Sequence, residues 1–259
     1  MIQVNPDLCV GCLRCFGVCN CTVFSEVDGR AWADPDKRCL KCMHCAAVCP
    51  VGAITWDGET AVEEDVEKYS DEFRSELVKL VRQRRSYRHY MDRPVDDDVL
   101  KEALDLACWA PSAKNEHPTK WIVVRERERL DDMMNKILAW IQETGTSLEI
   151  LDSYKEGLNV VMGTAPVILL AYCSDDAVNP KQDTAIAMET VELLLQAQGL
   201  GTCWAGYLTR MMNAVPALVE DFALPEGHSF YGAFMIGYPQ DEDYIHVPKR
   251  VNQADIIWK

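Results

Sequence analysis

The sequence predicts an α+β protein in which a small cysteine-rich module precedes a larger domain of helices around a central sheet. Nine of the twelve cysteines lie between residues 9 and 49 of the 259-residue chain. Behind them, helix-spaced apolar residues alternate with three or four short apolar runs, which is typical of mixed folds. An acidic segment at residues 61–73 reads as a solvated linker. We therefore expect domains at residues 1–60 and 74–259.

The elements of the larger domain are predicted from apolar spacing and from end signals. The acids at 96–98 suit the positive end of a helix dipole, Pro111 stops that helix, and Gly199 closes a later one. Helix spacing covers residues 73–84, 99–109, 127–143, about 148–161, 183–198 and about 210–220. Buried-strand patterns cover residues 120–125, 166–173, 202–205 and 229–237.

The charge balance narrows the classes of partner. The chain has 41 acidic and 26 basic side chains, a formal net charge of −15. This argues against nucleic acid and anionic membrane surfaces, which both favour basic proteins. There is no signal-peptide pattern, and the longest apolar run, residues 160–173, is too short to span a bilayer. We expect a soluble cytoplasmic protein, a compartment in which disulfides are rare.

Eight cysteines form two identical frames, C-x2-C-x2-C-x3-C, at residues 9–19 and 39–49. In this pattern three cysteines of a run bind one [4Fe–4S] cluster and the fourth binds the other cluster. Zinc and disulfides are the weaker alternatives, because zinc usually takes two short cysteine pairs. The sequence therefore predicts two clusters. The ligand sets are Cys9, Cys12, Cys15 and Cys49 for one, and Cys39, Cys42, Cys45 and Cys19 for the other.

Residues 1–60 resemble a bacterial two-[4Fe–4S] ferredoxin. The resemblance includes Pro50, which directly follows the last ligand of the second frame. Asn20 stands where the first frame of the pattern has proline, a departure that removes no ligand. Cys21 is an additional thiol for which the pattern requires no role.

A basic segment follows the linker. Residues 81–93 contain five arginines and one aspartate. One interpretation is a solvated helix end, which arginine suits, and the other is an anion site in which arginines and Ser86 bind a phosphate. There is no G-x-G-x-x-G motif and no Walker loop, so side chains would have to hold any phosphate.

Two further segments suggest a ligand pocket. The polar loop 110–118 directly precedes a buried strand and can aim Ser112 and Asn115 into a pocket beside the sheet. The glycines of segment 199–206 surround a short strand, where they allow close approach of backbone to a ligand. The alternative for this second segment is a helix end followed by a core strand.

Together, residues 74–259 resemble the nitroreductase family of FMN enzymes. The motifs are Arg84-Arg-Ser-Tyr-Arg88, the loop with Asn115 and Pro118, the segment Gly199–Gly206, and Lys249-Arg250. The resemblance implies a central sheet flanked by helices and a homodimer with FMN at the subunit interface. It implies the flavin phosphate on Arg84, Ser86 and Arg250, the ring edge near Arg88 and Asn115, and the ring centre near Ala205 and Gly206. Further contacts are expected from Arg85, Ser112, Cys203, Trp204 and Lys249.

The resulting functional hypothesis is an iron–sulfur flavoprotein oxidoreductase. Electrons would pass through two [4Fe–4S] clusters to FMN and on to a nitroaromatic, quinone or similar conjugated acceptor. Flavin chemistry requires no catalytic side chain, and none is assigned. Reduced ferredoxin or NAD(P)H would be the donor. Two alternatives stay open, an NAD(P)H-dependent nitroreductase with accessory clusters and a non-enzymatic electron carrier.

Overall fold

A computed structural model of the chain describes residues 1–240, 244–251 and 254–259. Contacts between residues divide the chain into two units. The first contains residues 1–70 and 114–116, and the second contains residues 71–113 and 117–259. The domain boundaries expected from the sequence, with residues 61–73 as a linker, stay a prediction.

The first unit is built from short elements. Strand β1 pairs antiparallel with β4, and β4 pairs with β5, while β2 and β3 form a separate hairpin. The bounds are β1 Ile2–Val4, α1 Arg14–Val18, β2 Phe24–Val27, β3 Arg30–Ala33, α2 His44–Ala47, β4 Ile54–Trp56 and β5 Glu59–Thr60.

The two cysteine frames share an unusual backbone conformation. Gly11 and Lys41 occupy the same position in their frames and have φ angles of 69° and 57°. Leu13 and Met43 are likewise matched, at 55° and 54°, and each directly precedes a short helix. Because positive φ is uncommon for residues other than glycine, these matched angles show that the frames repeat in structure as well as in sequence.

The core of the first unit is small. Its buried apolar residues include Ile2, Val23, Phe24 and Ile54, and the two buried cysteines, Cys15 and Cys45, pack among them. A domain of this size buries too little apolar surface for high stability, and small domains commonly add metals or disulfides.

The second unit consists of seven helices and a four-stranded sheet. The helices are α3 Asp71–Gln83, α4 Asp97–Leu106, α5 Arg127–Thr144, α6 Leu148–Lys155, α7 Pro180–Ala197, α8 Gly206–Ala214 and α9 Pro216–Phe222. The strands are β6 Lys120–Val124, β7 Val167–Ser174, β8 Gly201–Trp204 and β9 His228–Gly237. These counts refer to the described residues. None of the helices among them has the length and apolar character that a membrane-spanning helix requires.

The sheet of the second unit is antiparallel, in the order β6-β7-β9-β8, and is covered on both faces. Alternate residues of β7 belong to two separate cores: Ile168 and Leu170 pack with α5, α6, α8 and α9. Val167 and Leu169 pack with α4 and α7 on the other face. Since both faces of the central strands are buried, β7 and β9 read as nearly continuous apolar runs in the sequence.

Three predicted helices differ from the structure. The helix expected over 99–109 ends at Leu106 and is followed by a 3₁₀ turn, Ala107–Trp109. The helix expected near residues 210–220 is two helices, α8 and α9, separated at Val215. Pro216 causes the break, because proline lacks an N–H and is favoured at the first position of a helix. The helix expected over 148–161 ends at Lys155, and Gly157 follows with a φ of 87°.

Gly201 provides a test of this packing. A Cβ atom at this position would lie 2.8 Å from Cγ of Tyr87 and 2.9 Å from Cγ of Pro239. We expect Gly201→Ala to lower the free energy of unfolding by about 1–3 kcal/mol, the usual cost of overpacking. Urea denaturation followed by tryptophan fluorescence measures the change.

A double variant distinguishes the clash with Tyr87 from a general intolerance of substitutions in β8. Tyr87→Ala removes the nearest ring, so Gly201→Ala should cost less in the Tyr87→Ala background than in the parent protein. Equal costs in the two backgrounds would contradict the packing described here.

Candidate functional site

Four cysteines from different parts of the first unit line one cavity. The cavity, of about 20 Å³, is bordered by Cys9, Cys12 and Cys15 of the first frame and by Cys49 of the second. Apolar side chains, including Val4 and Ile54, complete its wall. The structure therefore brings together the four residues expected to share one cluster.

The cysteines of the second frame are also close to one another. Burial, with a smaller effect from negative charge on Cys39 and Cys42, raises the pKa of Cys45 to about 11. Burial also raises the pKa of Cys15, with Cys12 and Cys9 adding to the effect. A buried thiol of this kind becomes a thiolate only when a positive partner such as a metal stabilises the charge.

Backbone amides already point at several of these sulfurs. The N–H of Val23 donates to Cys19 Sγ at 3.4 Å, and the N–H of Ala53 donates to Cys49 Sγ at 3.2 Å. These two residues are the last cysteines of their frames, and each donor lies four residues further along the chain. Such N–H···S bonds stabilise negative charge on sulfur and tune iron–sulfur clusters.

All twelve cysteines lie among the described residues, and none of them forms a disulfide bond. Within the described part of the chain, no group of three or more His, Cys, Asp or Glu side chains has the geometry to hold a metal ion. The two-cluster assignment, including Cys19 as the fourth ligand of the second set, stays a prediction. The extra thiol Cys21 is partly exposed.

In the second unit, the basic segment lies along strand β8. Ser86 forms a parallel bridge with Thr202, and the N–H of Tyr87 donates to the carbonyl of Thr202 at 2.9 Å. The hydroxyl of Tyr90 donates to the carbonyls of Tyr87 and Met235, at 2.6 and 3.2 Å. These bonds place Ser86 and its neighbours beside the strand that the sequence also predicts to contact the cofactor.

Arg84 forms an ion pair that sequence reasoning missed. Its Nη1 lies 3.2 Å from Oε1 of Glu192, a buried carboxylate on α7. The same oxygen accepts hydrogen bonds from the hydroxyl of Thr202 at 2.8 Å and from the side chain of Gln196 at 3.3 Å. The sequence did contain a signal for the burial of this residue, because Glu192 follows Met188 by four residues and so lies on the apolar face of the helix.

The other two arginines of the motif bond to backbone carbonyls. Arg85 Nη1 donates to the carbonyl of Arg82 at 2.8 Å and to that of Arg84 at 2.6 Å. It therefore caps the end of α3, which is the structural role that a helix C-terminus offers arginine. Arg88 Nη1 donates to the carbonyl of Ser86 at 3.3 Å.

Residues 203–206 have distinct environments. Cys203 is buried, and burial raises its pKa, while the positive charge of Arg88 opposes the rise. Trp204 is 43% exposed and packs edge-on against Phe234. The N–H of Ala205, directly after β8, donates to the carbonyl of Ala233 at 2.8 Å, which ties its backbone to β9. Gly206 begins α8, where backbone N–H groups lack partners within the helix and the dipole favours negative charge.

The loop before β6 carries two expected contacts that lie in different units. Ser112 Oγ accepts a hydrogen bond from the N–H of His117 at 2.9 Å. Asn115 groups with the first unit, where its Nδ2 donates to the carbonyls of Leu40 and Lys41 at 3.2 and 3.3 Å.

Asp183 is a second residue that sequence reasoning missed. It is 4% exposed and borders a cavity of about 40 Å³ together with Ser112 and Thr119. Its Oδ1 accepts the N–H of Ala113 at 3.0 Å, while its Oδ2 has no hydrogen-bond partner among the described residues. A polar cavity of this size has room for a water molecule, which can satisfy such an oxygen.

Lys249 and Arg250 are exposed and lie outside any helix or strand. Their segment begins beside the basic segment: the ring of Tyr244 packs edge-on against Tyr87 at 5.1 Å, and its hydroxyl donates to the carbonyl of Ser86 at 3.4 Å. The structure therefore brings the start of this tail, though not the two cations themselves, to Ser86.

Comparison with known proteins gives a consistent result. The model of the nitroreductase family matches residues 81–238, which leaves the cysteine frames outside the match. An Archaeoglobus fulgidus protein named "Putative NADH dehydrogenase/NAD(P)H nitroreductase" is 33% identical over 178 residues, covering 68% of this chain and 94% of the relative.

Two crystal structures show a similar fold. A nitroreductase with bound FMN from Bacteroides fragilis has a TM-score of 0.62 at 20% identity and covers 71% of this chain and 99% of its own. A nitroreductase with bound FMN from Desulfitobacterium hafniense has a TM-score of 0.59 at 22% identity, covering 70% and 98%. These similarities show that the chain contains the nitroreductase-like α/β fold.

Proposed function

Because the chain belongs to the nitroreductase family, we propose that it is an FMN-dependent oxidoreductase fed with electrons by its own iron–sulfur module. The main support for this proposal is the position of the basic segment, residues 81–93. Ser86 of this segment pairs with Thr202 of β8, and both residues lie within the region that matches the family model. FMN, when bound, supplies the one- and two-electron chemistry that reduces a nitroaromatic, quinone or similar conjugated acceptor.

The residues of the second unit fit the flavin phosphate. Arg84 is 34% exposed at its side chain and uses Nη1 for Glu192, while a guanidinium has five N–H donors in all. Ser86 lies on the same segment, next to the start of the tail that carries Arg250. We assign the phosphate to Arg84, Ser86 and Arg250, with Lys249 as a further cation.

The ring system would be held by the end of β8 and the start of α8. The N–H of Gly206 at the start of α8 is suited to an electron-rich ring atom, and Trp204 is exposed enough to cover the ring. Arg88 would stabilise negative charge on the reduced ring. Asn115 stays the proposed contact to the pyrimidine side, and Ser112 stays a proposed further contact.

The first unit is proposed to bind two [4Fe–4S] clusters. Support comes from the cavity lined by Cys9, Cys12, Cys15 and Cys49, and from the matched backbone of the two frames. Iron–sulfur clusters carry single electrons, which suits a module that serves a flavin.

The protein is proposed to be a homodimer with FMN at the subunit interface. On α3, Leu77, Val78 and Val81 are exposed, and so are Ile257 and Trp258 near the end of the chain. Apolar side chains exposed in this number favour an interface between subunits.

The donor defines the second candidate function. The Archaeoglobus relative is named for NADH and NAD(P)H, which favours an enzyme that accepts hydride directly and carries its clusters as accessories. The first candidate takes electrons from reduced ferredoxin.

Iron analysis tests the cluster assignment. Anaerobically purified protein should contain about eight irons per chain, and Cys49→Ser should reduce this to about four. Cys21→Ser is the matched control, because this thiol belongs to neither frame, and it should leave the iron content unchanged. Zinc in place of iron, or equal loss in both variants, would show that the assignment is wrong.

Flavin content tests the phosphate site. We expect Arg84→Ala combined with Arg250→Ala to weaken FMN binding by roughly a hundredfold or more, since each arginine makes charge-assisted hydrogen bonds. Absorbance of desalted protein measures bound flavin, and iron content should be unchanged. Arg127→Ala with Lys155→Ala removes two exposed cations elsewhere and should retain FMN. Full retention by the first pair would refute the phosphate assignment.

Anaerobic flavin reduction distinguishes the two donors. Reduced ferredoxin should bleach the flavin of the parent protein and of Cys21→Ser rapidly, and that of Cys45→Ser slowly, because Cys45 is a proposed cluster ligand. NADH and NADPH should leave the flavin oxidised. Rapid bleaching of Cys45→Ser by either nucleotide would instead establish the NAD(P)H-dependent alternative.

A further inference from the structure

Glu192 is a buried carboxylate at the meeting point of three elements. It is 6% exposed on α7, and its Oε1 receives donors from Arg84, Thr202 and Gln196. Thr202 belongs to β8, and Arg84 directly follows α3. Removing a carboxylate from water is costly, so its retention among Met188, Val191 and Leu195 calls for a role beyond filling the core.

The same network also holds the backbone of the basic segment. Gln196 Nε2 donates to the carbonyl of Arg85 at 3.1 Å and to the hydroxyl of Thr202 at 2.8 Å. Thr202 in turn accepts the N–H of Tyr87 through its carbonyl. Both the guanidinium of Arg84 and the main chain on its C-terminal side are therefore tied to α7 and β8.

The ion pair is asymmetric in its exposure. The Arg84 side chain is 34% exposed, whereas that of Glu192 is 8% exposed. A carboxylate that binds a guanidinium at one nitrogen restricts the rotamers of the arginine and leaves its other N–H donors available. Glu192 thus engages Nη1 of Arg84, while the partly exposed guanidinium keeps further donors for a ligand.

We propose that Glu192 is a positioning residue that orients Arg84 for the phosphate of FMN. This inference rests on the proposed function, which assigns the phosphate to Arg84. Glu192 itself does not touch the cofactor. It prevents the long arginine side chain from sampling other rotamers, so that less conformational entropy is lost when the phosphate binds.

A simple charge effect makes the opposite prediction. A negative carboxylate near a phosphate site weakens anion binding, so its removal should strengthen binding of FMN. Glu189, one turn earlier on α7, offers the comparison: its pKa is raised by burial, by the negative charge of Glu192 and by a hydrogen bond with Glu192, and lowered by Arg84. It is therefore close enough to feel the same charges, yet it forms no ion pair with Arg84 among the contacts of the described residues.

The experiment compares FMN with riboflavin, which lacks the phosphate. Dissociation constants are measured by flavin fluorescence titration of the full chain after flavin removal, at fixed ionic strength. The readout is the ratio of riboflavin to FMN dissociation constants, which reports on the phosphate alone. A loss of folding would weaken both ligands and leave this ratio unchanged.

We expect Glu192→Ala to lower the ratio by roughly tenfold, the usual effect of losing a hydrogen bond to a charged group. Glu192→Gln keeps an acceptor oxygen for Arg84 and should restore most of the ratio. Glu189→Ala should leave the ratio unchanged or raise it. If Glu192→Ala does not fold, Glu192→Met, which keeps the side-chain volume, takes its place with the same expectation.

The remaining outcomes separate the two proposals. A ratio that rises in Glu192→Ala, as charge relief predicts, would overturn the positioning role. So would an unchanged ratio in Glu192→Ala when Arg84→Ala lowers it. If Arg84→Ala itself leaves the ratio unchanged, the phosphate assignment under the proposed function is wrong, and the role of Glu192 falls with it.

Discussion

Thr202 forms the interactions on which the candidate flavin site depends. Its carbonyl accepts the N–H of Tyr87, its hydroxyl donates to Glu192, and its strand pairs with β9 in the sheet. One buried residue therefore joins the basic segment, the helix α7 and the central sheet. Together with the bond from Gln196 to the carbonyl of Arg85, these interactions hold Ser86 beside β8 and keep the neighbouring arginines in place.

The first unit depends on a different constraint. Its apolar core is small, and two of its buried side chains are cysteines, whose thiols are hard to ionise in that environment. The repeated positive φ angles bend the chain between the first and the third cysteine of each frame. A short helix that contains the third cysteine begins directly after this bend. Bound clusters would supply both the positive partner for the thiolates and the stability that the core lacks.

Sequence reasoning predicted most of the elements of the second unit, because their apolar spacing is strong and their ends carry proline, glycine or acids. It joined α8 and α9, since a helical pattern runs through both and only Pro216 separates them. At the site, it singled out Arg84 and Ser86 for the phosphate and expected a further contact from Arg85, whose guanidinium caps α3 in the structure. It overlooked Glu192 and Asp183, because a single acid within a helix is usually exposed.

The sequence by itself determined which side chains are available for chemistry: the cysteines of two C-x2-C-x2-C-x3-C frames and an Arg-Arg-Ser-Tyr-Arg segment. Spacing along the chain is enough for this, because the cysteines of one frame are neighbours in sequence. Only the tertiary structure decided which side chains meet across long separations. Arg84 and Glu192 are 108 residues apart, and their pairing follows from the packing of α7 against the sheet, which no local pattern records.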